Sequence, residues 1–222
     1  MLKALALWLL TVTAAVAADV PLAAMSEANR VLVGPVIELC TLQRDYMART
    51  FHGRRELFEF LMDDMVGCSM LSESLGLIGY RALEGEFGRA VADDRTGAQG
   101  YIQQVYCAEG KRAYYVEGTQ QGMFQARGRG VVIVSFTETA PDRIEFTGQM
   151  FVKIDNEVLA ILAQVFFAFV KKTVDEHFDH VINQPIYLSG LALEDAGTLR
   201  RSIESMSAED YRRLTPLLRL LR

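Results

Sequence analysis

His177 and His180 stand three residues apart, with Glu176 and Asp179 beside them. On a helix, positions i and i+3 are neighbours on one face. Two imidazoles and a carboxylate such as Glu176 could therefore supply ligands to zinc or a similar ion. The HExxH spacing is missing, and the third histidine, His52, lies far away in sequence, so the solvated polar end of a helix explains the same residues. Arg127-Gly128-Arg129-Gly130 is a second segment with chemical possibilities, since glycine-rich turns can wrap anions. No helix start follows it to donate backbone amides, and a hairpin turn accounts for it. The carboxylate pairs Asp63-Asp64 and Asp93-Asp94 read as solvated charges, the first on the outside of a helix and the second in a turn. No GxSxG elbow, P-loop or dinucleotide fingerprint occurs in the sequence. No catalytic residue is selected, and no cofactor is implied.

Aromatic and large apolar side chains give the stronger signal. Tyr101, Tyr115, Phe136, Phe146 and Met150 fall in segments with strand character, and Leu162, Phe166, Phe169 and Val170 in a helical one. Together they could line a pocket of the usual kind, mostly apolar with a few polar groups. Equally, they could fill a solid core. The nine methionines fit an adaptable ligand surface or ordinary gap filling.

The elements that would position these residues begin after a leader. Lys3, the apolar run Ala4–Leu10 and the small residues around Ala15-Val16-Ala17-Ala18 form a secretory signal pattern over residues 1–18. Its apolar stretch is shorter than the roughly 20 residues of a spanning helix. The expectation is a cleaved leader and an exported, periplasmic or secreted product; the other reading is an uncleaved anchor. Half of the chain is hydrophobic, enough for a core without covalent staples. Asp and Glu number 28 against 23 Lys and Arg, one of which is Lys3. Such a balance argues against a nucleic-acid partner, which needs a basic field. Three cysteines, Cys40, Cys68 and Cys107, leave one over if a disulfide forms. Cys40 and Cys68 both read as helical and inward and could bridge, for about 3 kcal/mol at most; three buried thiols are the alternative.

Gly34-Pro35 predicts a helix start, followed by apolar positions Val36, Leu39, Cys40, Tyr46 and Met47 near helical spacing. Leu57, Phe58, Leu61, Met65, Cys68, Leu71 and Leu75 predict a second helix, stopped at Gly76. From Tyr80 to Ile154 the period shortens to two. Strands are expected near 80–87, 98–107, 112–118, 130–138 and 143–154, with a further one possible between 121 and 127. In the last strand Ile144, Phe146, Gly148, Met150, Val152 and Ile154 share a face, Phe151 being the exception. The close spacing implies an antiparallel meander with one packed and one wet face. Asn156 can cap a helix to about Ile182 whose first half is apolar nearly all round. Pro185 should end it. Residues 194–222 predict two short helices, the second capped by Ser207. The Arg-rich last stretch either packs its leucines on the domain or makes peripheral membrane contact. The chain thus divides into a leader (1–18), one α+β domain (19–185) and a helical tail (186–222).

Paired strands at 130–138 and 143–154, followed at once by the 156–182 helix, resemble the START-like, helix-grip superfamily, which includes polyketide cyclase-like proteins. The resemblance is architectural and covers roughly residues 54–182. It implies a curved antiparallel sheet wrapped around the long helix, with an apolar cavity between them, in a family of lipid, sterol or polyketide carriers with some cyclases and hydrolases. The family opens with a strand, for which the Arg30–Val33 run is the candidate.

Three functions are compatible with this reading. The first is an exported soluble protein that binds or carries a lipid-like hydrophobic ligand. The second is a hydrolytic or metal-assisted enzyme using the same pocket, with Glu176, His177 and His180 as its metal candidates. The third is an envelope interaction module with a solid core. A cavity separates the first two from the third, and converging polar groups would separate the enzyme from the carrier.

Overall fold

The computed structural model describes residues 20–221, apart from 78, 96, 122–125 and 166, and describes residues 165, 167–171 and 173 by their backbone alone. The leader 1–18 therefore lies outside the described residues.

Helix α1 (Glu27–Glu38) starts at Ser26, whose hydroxyl accepts from the Asn29 amide at 3.3 Å. Arg30–Val33 is thus helical, not a strand, and Pro35 sits inside the helix, not at its start. The opening strand is β1 (Leu42–His52), where helical spacing was expected. Tyr46 is buried there while Met47 and Leu39 are exposed, so the apparent helical face does not exist. Pairing of β1 with the last strand overrides the local pattern, as tertiary context routinely does.

The predicted single helix is two: α2 (Arg55–Asp63) and α3 (Met65–Ser74). They part at Asp64, whose non-helical backbone breaks the run and whose carboxylate caps α3 by accepting from the Gly67 amide at 3.0 Å. Six further strands follow: β2 (Arg81–Glu84), β3 (Ala90–Asp93), β4 (Ala98–Ala108), β5 (Lys111–Gln120), β6 (Ala126–Ala140) and β7 (Arg143–Ile154). The expected 80–87 strand is the β2–β3 hairpin's first arm, and β3 was not foreseen. The possible strand at 121–127 falls partly on 122–125, outside the described residues; Ala126 and Arg127 open β6. The sheet runs β1-β7-β6-β5-β4-β3-β2, with every pair antiparallel. The α2–α3 pair therefore carries the chain from one edge strand to the other.

Helices α4 (Glu157–Val165) and α5 (Phe167–Glu194) follow β7, with Asn156 accepting from the Leu159 amide at 3.0 Å as the expected cap. Helix α5 lies on the concave face of the sheet. Gly148 of β7 makes room for it: a Cβ there would stand 2.5 Å from the Phe178 ring. That ring stacks on Tyr46 with centroids 3.8 Å apart. Arg44 and Arg49 of β1 tie the same helix down through Asp175 (2.9 Å) and Asp179 (2.7 Å).

Pro185 does not end α5; the helix continues to Glu194. A proline inside a helix removes one backbone bond and costs about 3 kcal/mol. Packing of the second half offsets this. Leu188 and Ala192 join Leu57, Leu61 and Leu71 in a fully buried cluster completed by α6 (Ala196–Glu204) and α7 (Ala208–Leu220). The tail leucines Leu214, Leu217 and Leu221 are buried in it, and Arg213 grips Asp64 at 2.6 Å and Glu84. Among the described residues no helix is long and apolar enough to cross a membrane.

The convex face is not simply wet. Val33 and Val36 of α1 cover Val105, Ala113, Tyr115, Val131, Ile133 and Phe151, which explains the Phe151 exception: β7 is apolar on both faces where helices cover both. The three cysteines are free. Cys40 borders this convex cluster and Cys68 lies in the helical one, so neither a bridge nor three buried thiols is found. Burial pushes the Cys68 thiol up to about 12, whereas Cys107 is exposed. Iodoacetamide should modify Cys107 first in the native protein and Cys68 only after unfolding. Rapid native labelling of Cys68, located by peptide mass spectrometry, would contradict this packing.

Candidate functional site

Between the concave face and helices α4 and α5 lies a cavity of about 880 Å³. Its sheet wall alternates as a strand must: Val116 of β5, Val132 of β6 and Met150 and Val152 of β7 point in. The helical wall comprises Leu159, Leu162 and Ala163 of α4 with Phe178 and Ile182 of α5.

Much of this space exists because side chains are missing. Gly100, Gly118 and Gly128 are register partners across β4, β5 and β6, and Gly130 lies two residues further on. All four line the cavity. The Gly128-Arg129-Gly130 segment is therefore strand interior, not a hairpin turn. A Cβ on Gly100 or Gly118 would run into backbone of the neighbouring strand, so those positions must be bare. Gly130 differs: a Cβ there would meet only ordinary contacts, the nearest being Phe151 O at 3.4 Å.

Polar groups divide between the two ends. At the α2–α3 end, the Tyr114 hydroxyl donates to the Met62 carbonyl (2.8 Å) and the Tyr80 hydroxyl to that of Met65 (3.2 Å). Burial raises both phenols well above their usual range; they are neutral, and their hydroxyls are already engaged by backbone. At the other end, formed by the β3–β4 turn, the end of β5 and the start of β6, the wall carries His177, Asp94 and Gln120. His177 Nδ1 lies 2.5 Å from Asp94 Oδ2. Asp94 Oδ1 accepts from the Ala98 amide at 2.8 Å, fixing the carboxylate within its own turn. Arg127 and Arg129, at odd positions of β6 on the same outer face as Tyr115 and Glu117, pair with Glu117 (2.7 Å) and Asp155 (2.5 Å).

The residues singled out from sequence are distributed as follows. Met150 and Leu162 line the cavity. Phe136 and Phe146 face the concave side but are packed into the core beside it, Phe136 edge-on to Phe58. Tyr115 and Tyr101 lie on the other face of the sheet: both have odd numbers in strands whose even positions face the cavity. Tyr115 is buried under α1 and donates to Glu117 at 3.2 Å, and Tyr101 is exposed. Phe166 lies outside the described residues, as do the side chains of Phe169 and Val170. Among the described residues no His, Cys, Asp and Glu group could hold a metal: Glu176 faces Lys172 at 3.7 Å, and His177 is engaged by Asp94. Nor are the two aspartate pairs free charges, since Asp63 binds Arg112, Asp64 binds Arg213 and Asp94 binds His177. Sequence reasoning missed the Asp94–His177 pair because nothing local links a hairpin turn to a helix so far along the chain.

No family model and no curated protein matches this chain. Solved structures similar to it include the Zhui aromatase/cyclase from Streptomyces sp. R1128, at 12% identity and TM-score 0.48 over 70% of this chain and 99% of that one. A conserved protein from Geobacillus kaustophilus is similar at 13% identity and TM-score 0.46, over 65% and 95% of the two chains. A START superfamily protein from Mycobacterium smegmatis is similar at 12% and 0.40, over 64% and 97%. The assignment of the fold rests on the strand order and the gripped helix rather than on these values. A strand, two helices, a six-stranded antiparallel meander closing on that first strand, and a long helix in the concavity make this an α+β, helix-grip-like fold that resembles the START-like superfamily.

Proposed function

We propose that the protein binds a lipid-like hydrophobic small molecule in the cavity between the sheet and α4–α5. The observation that carries this reading is the apolar space of about 880 Å³, within the range of small-molecule sites and kept open by glycines where side chains would otherwise stand. A solid-core interaction module would have no such space. The leader-like residues 1–18 would place the binding outside the cytosol. Carriage, more than chemistry, suits a cavity whose long walls are hydrocarbon and whose tyrosines are already hydrogen-bonded to backbone.

Titration with 1-methylpyrene, followed by its fluorescence, tests the reading. Saturable binding at one molecule per chain is expected, since an apolar ligand of this size gains roughly 25 cal/mol for each Å² removed from water. An unsaturable, linear response would reject the cavity as a binding site.

A further inference from the structure

The geometry points to a chemical class of ligand, and this step rests on the cavity being the binding site: we propose that His177, oriented by Asp94, is the polar anchor for an apolar ligand that carries a neutral hydroxyl group. An ionised carboxylate only accepts hydrogen bonds, so the proton between Asp94 Oδ2 and His177 Nδ1, 2.5 Å apart, belongs to the imidazole. In the uncharged imidazole, a proton on Nδ1 leaves Nε2 as the acceptor. The carboxylate cannot swing away, because its other oxygen is held by the Ala98 amide. Its side chain is 11% exposed and that of His177 27%. Both line the cavity, at the end where the apolar walls give way to polar ones.

Two further observations select a hydrogen-bond donor over an anion. Gln120, on the same wall, buries its Oε1 with no partner among the described residues, while its amide nitrogen donates to the Gln121 carbonyl at 3.1 Å. A second acceptor thus awaits a donor. Arg127 and Arg129 stand on the opposite face of β6, paired with Glu117 and Asp155, so they offer no cation to a carboxylate or phosphate headgroup in the cavity, and Asp94 puts a negative charge beside His177. An alcohol or phenol satisfies the acceptors without bringing a charge into this wall. An anionic headgroup would meet acceptors and a carboxylate.

Three probes with one apolar body separate these cases: 1-pyrenemethanol, 1-methylpyrene and 1-pyrenecarboxylate, titrated into the full chain. The wild type should bind the alcohol up to about tenfold more tightly than the hydrocarbon, the scale of one well-formed buried hydrogen bond. His177→Phe should erase that preference, so that the alcohol and 1-methylpyrene bind with equal affinity. Asp94→Asn should turn its amide toward Nδ1, move the ring proton to Nε2, and shift the preference from the alcohol toward the carboxylate. That change is one a purely structural latch between α5 and the β3–β4 turn would not produce, and it keeps the test valid if His177→Phe does not fold. Equal wild-type binding of alcohol and hydrocarbon would overturn the anchor and leave the cavity standing. So would a preference for the carboxylate, or a His177→Phe protein that keeps the wild-type preference for the alcohol. Failure of the wild type to bind any of the three would instead remove the cavity reading on which the anchor depends.

Discussion

Asp63→Ala should lower the free energy of unfolding by about 3 kcal/mol, the low end of the cost of stranding a buried charge. Arg112 projects from β5 with its side chain only 4% exposed. Its Nε and Nη2 donate to the two oxygens of Asp63 at 2.5 and 3.0 Å, and Nη1 donates to the carbonyls of Ala108 and Lys111. The guanidinium also lies 5.5 Å from the centre of the Phe136 ring. Burial alone would lower the pKa of Arg112, but the Asp63 hydrogen bonds and charge outweigh it and raise the pKa. The bidentate pair pins the end of α2 to the middle of the sheet. Glu59, 3.7 Å away, is a weaker substitute and keeps the loss from being larger. A companion substitution tells an ion pair from mere packing. Arg112→Met with Asp63→Ala should recover much of the stability lost by Asp63→Ala alone, because removing both charges leaves neither uncompensated. Urea unfolding of the wild type and the two variants reads this directly. A double variant no better than Asp63→Ala would assign the loss to packing.

The second large effect concerns the cavity. Gly130→Trp combined with Ala163→Trp sends one indole in from the sheet and one from the helical wall. Both positions line the space, and a Cβ at Gly130 meets nothing closer than ordinary contact. If the indoles return roughly 100 Å² of ligand surface to water, binding weakens by about 2.5 kcal/mol, nearly two orders of magnitude in Kd. The variant should unfold at or above the wild-type midpoint, since filling an apolar void adds contacts without forcing the backbone. Gly118→Val is the contrasting control. Its Cβ has no room against the backbone of β4, so it should lose roughly 1–3 kcal/mol of stability, as overpacked sites do. A fill variant that kept wild-type affinity for 1-methylpyrene would place the ligand elsewhere.

The parts of this molecule that could be read from the sequence are those where one face alone decides the pattern. Strand β7 was legible because Ile144, Phe146, Met150, Val152 and Ile154 alternate with polar residues, and even Phe151 now has a cause in the α1 layer on the convex side. The cap at Asn156 and the two tail helices were legible from local chemistry. Strand β1 was not. Val36, Leu39, Cys40, Tyr46 and Met47 fall near helical spacing, yet they belong partly to α1 and partly to a strand whose identity comes from pairing with β7. Pro185 misled for a similar reason, since the buried partners of Leu188 and Ala192 are remote in sequence. The cavity was expected only from architecture. Residues picked for bulk, such as Phe136 and Phe146, fill the core, while the space is marked by what lacks a side chain, at Gly100, Gly118 and Gly128. Aspartates 63, 64 and 94 look alike in sequence; only the fold supplies their partners Arg112, Arg213 and His177.

Native mass spectrometry of the protein purified from the cells that make it, followed by organic extraction and lipid analysis, tests the central claim most directly. The account predicts one hydrophobic, hydroxyl-bearing molecule per chain, released by extraction and lost in the Gly130→Trp, Ala163→Trp variant. A clean mass for the polypeptide alone, unchanged after incubation with lipids extracted from the same cells, would contradict it.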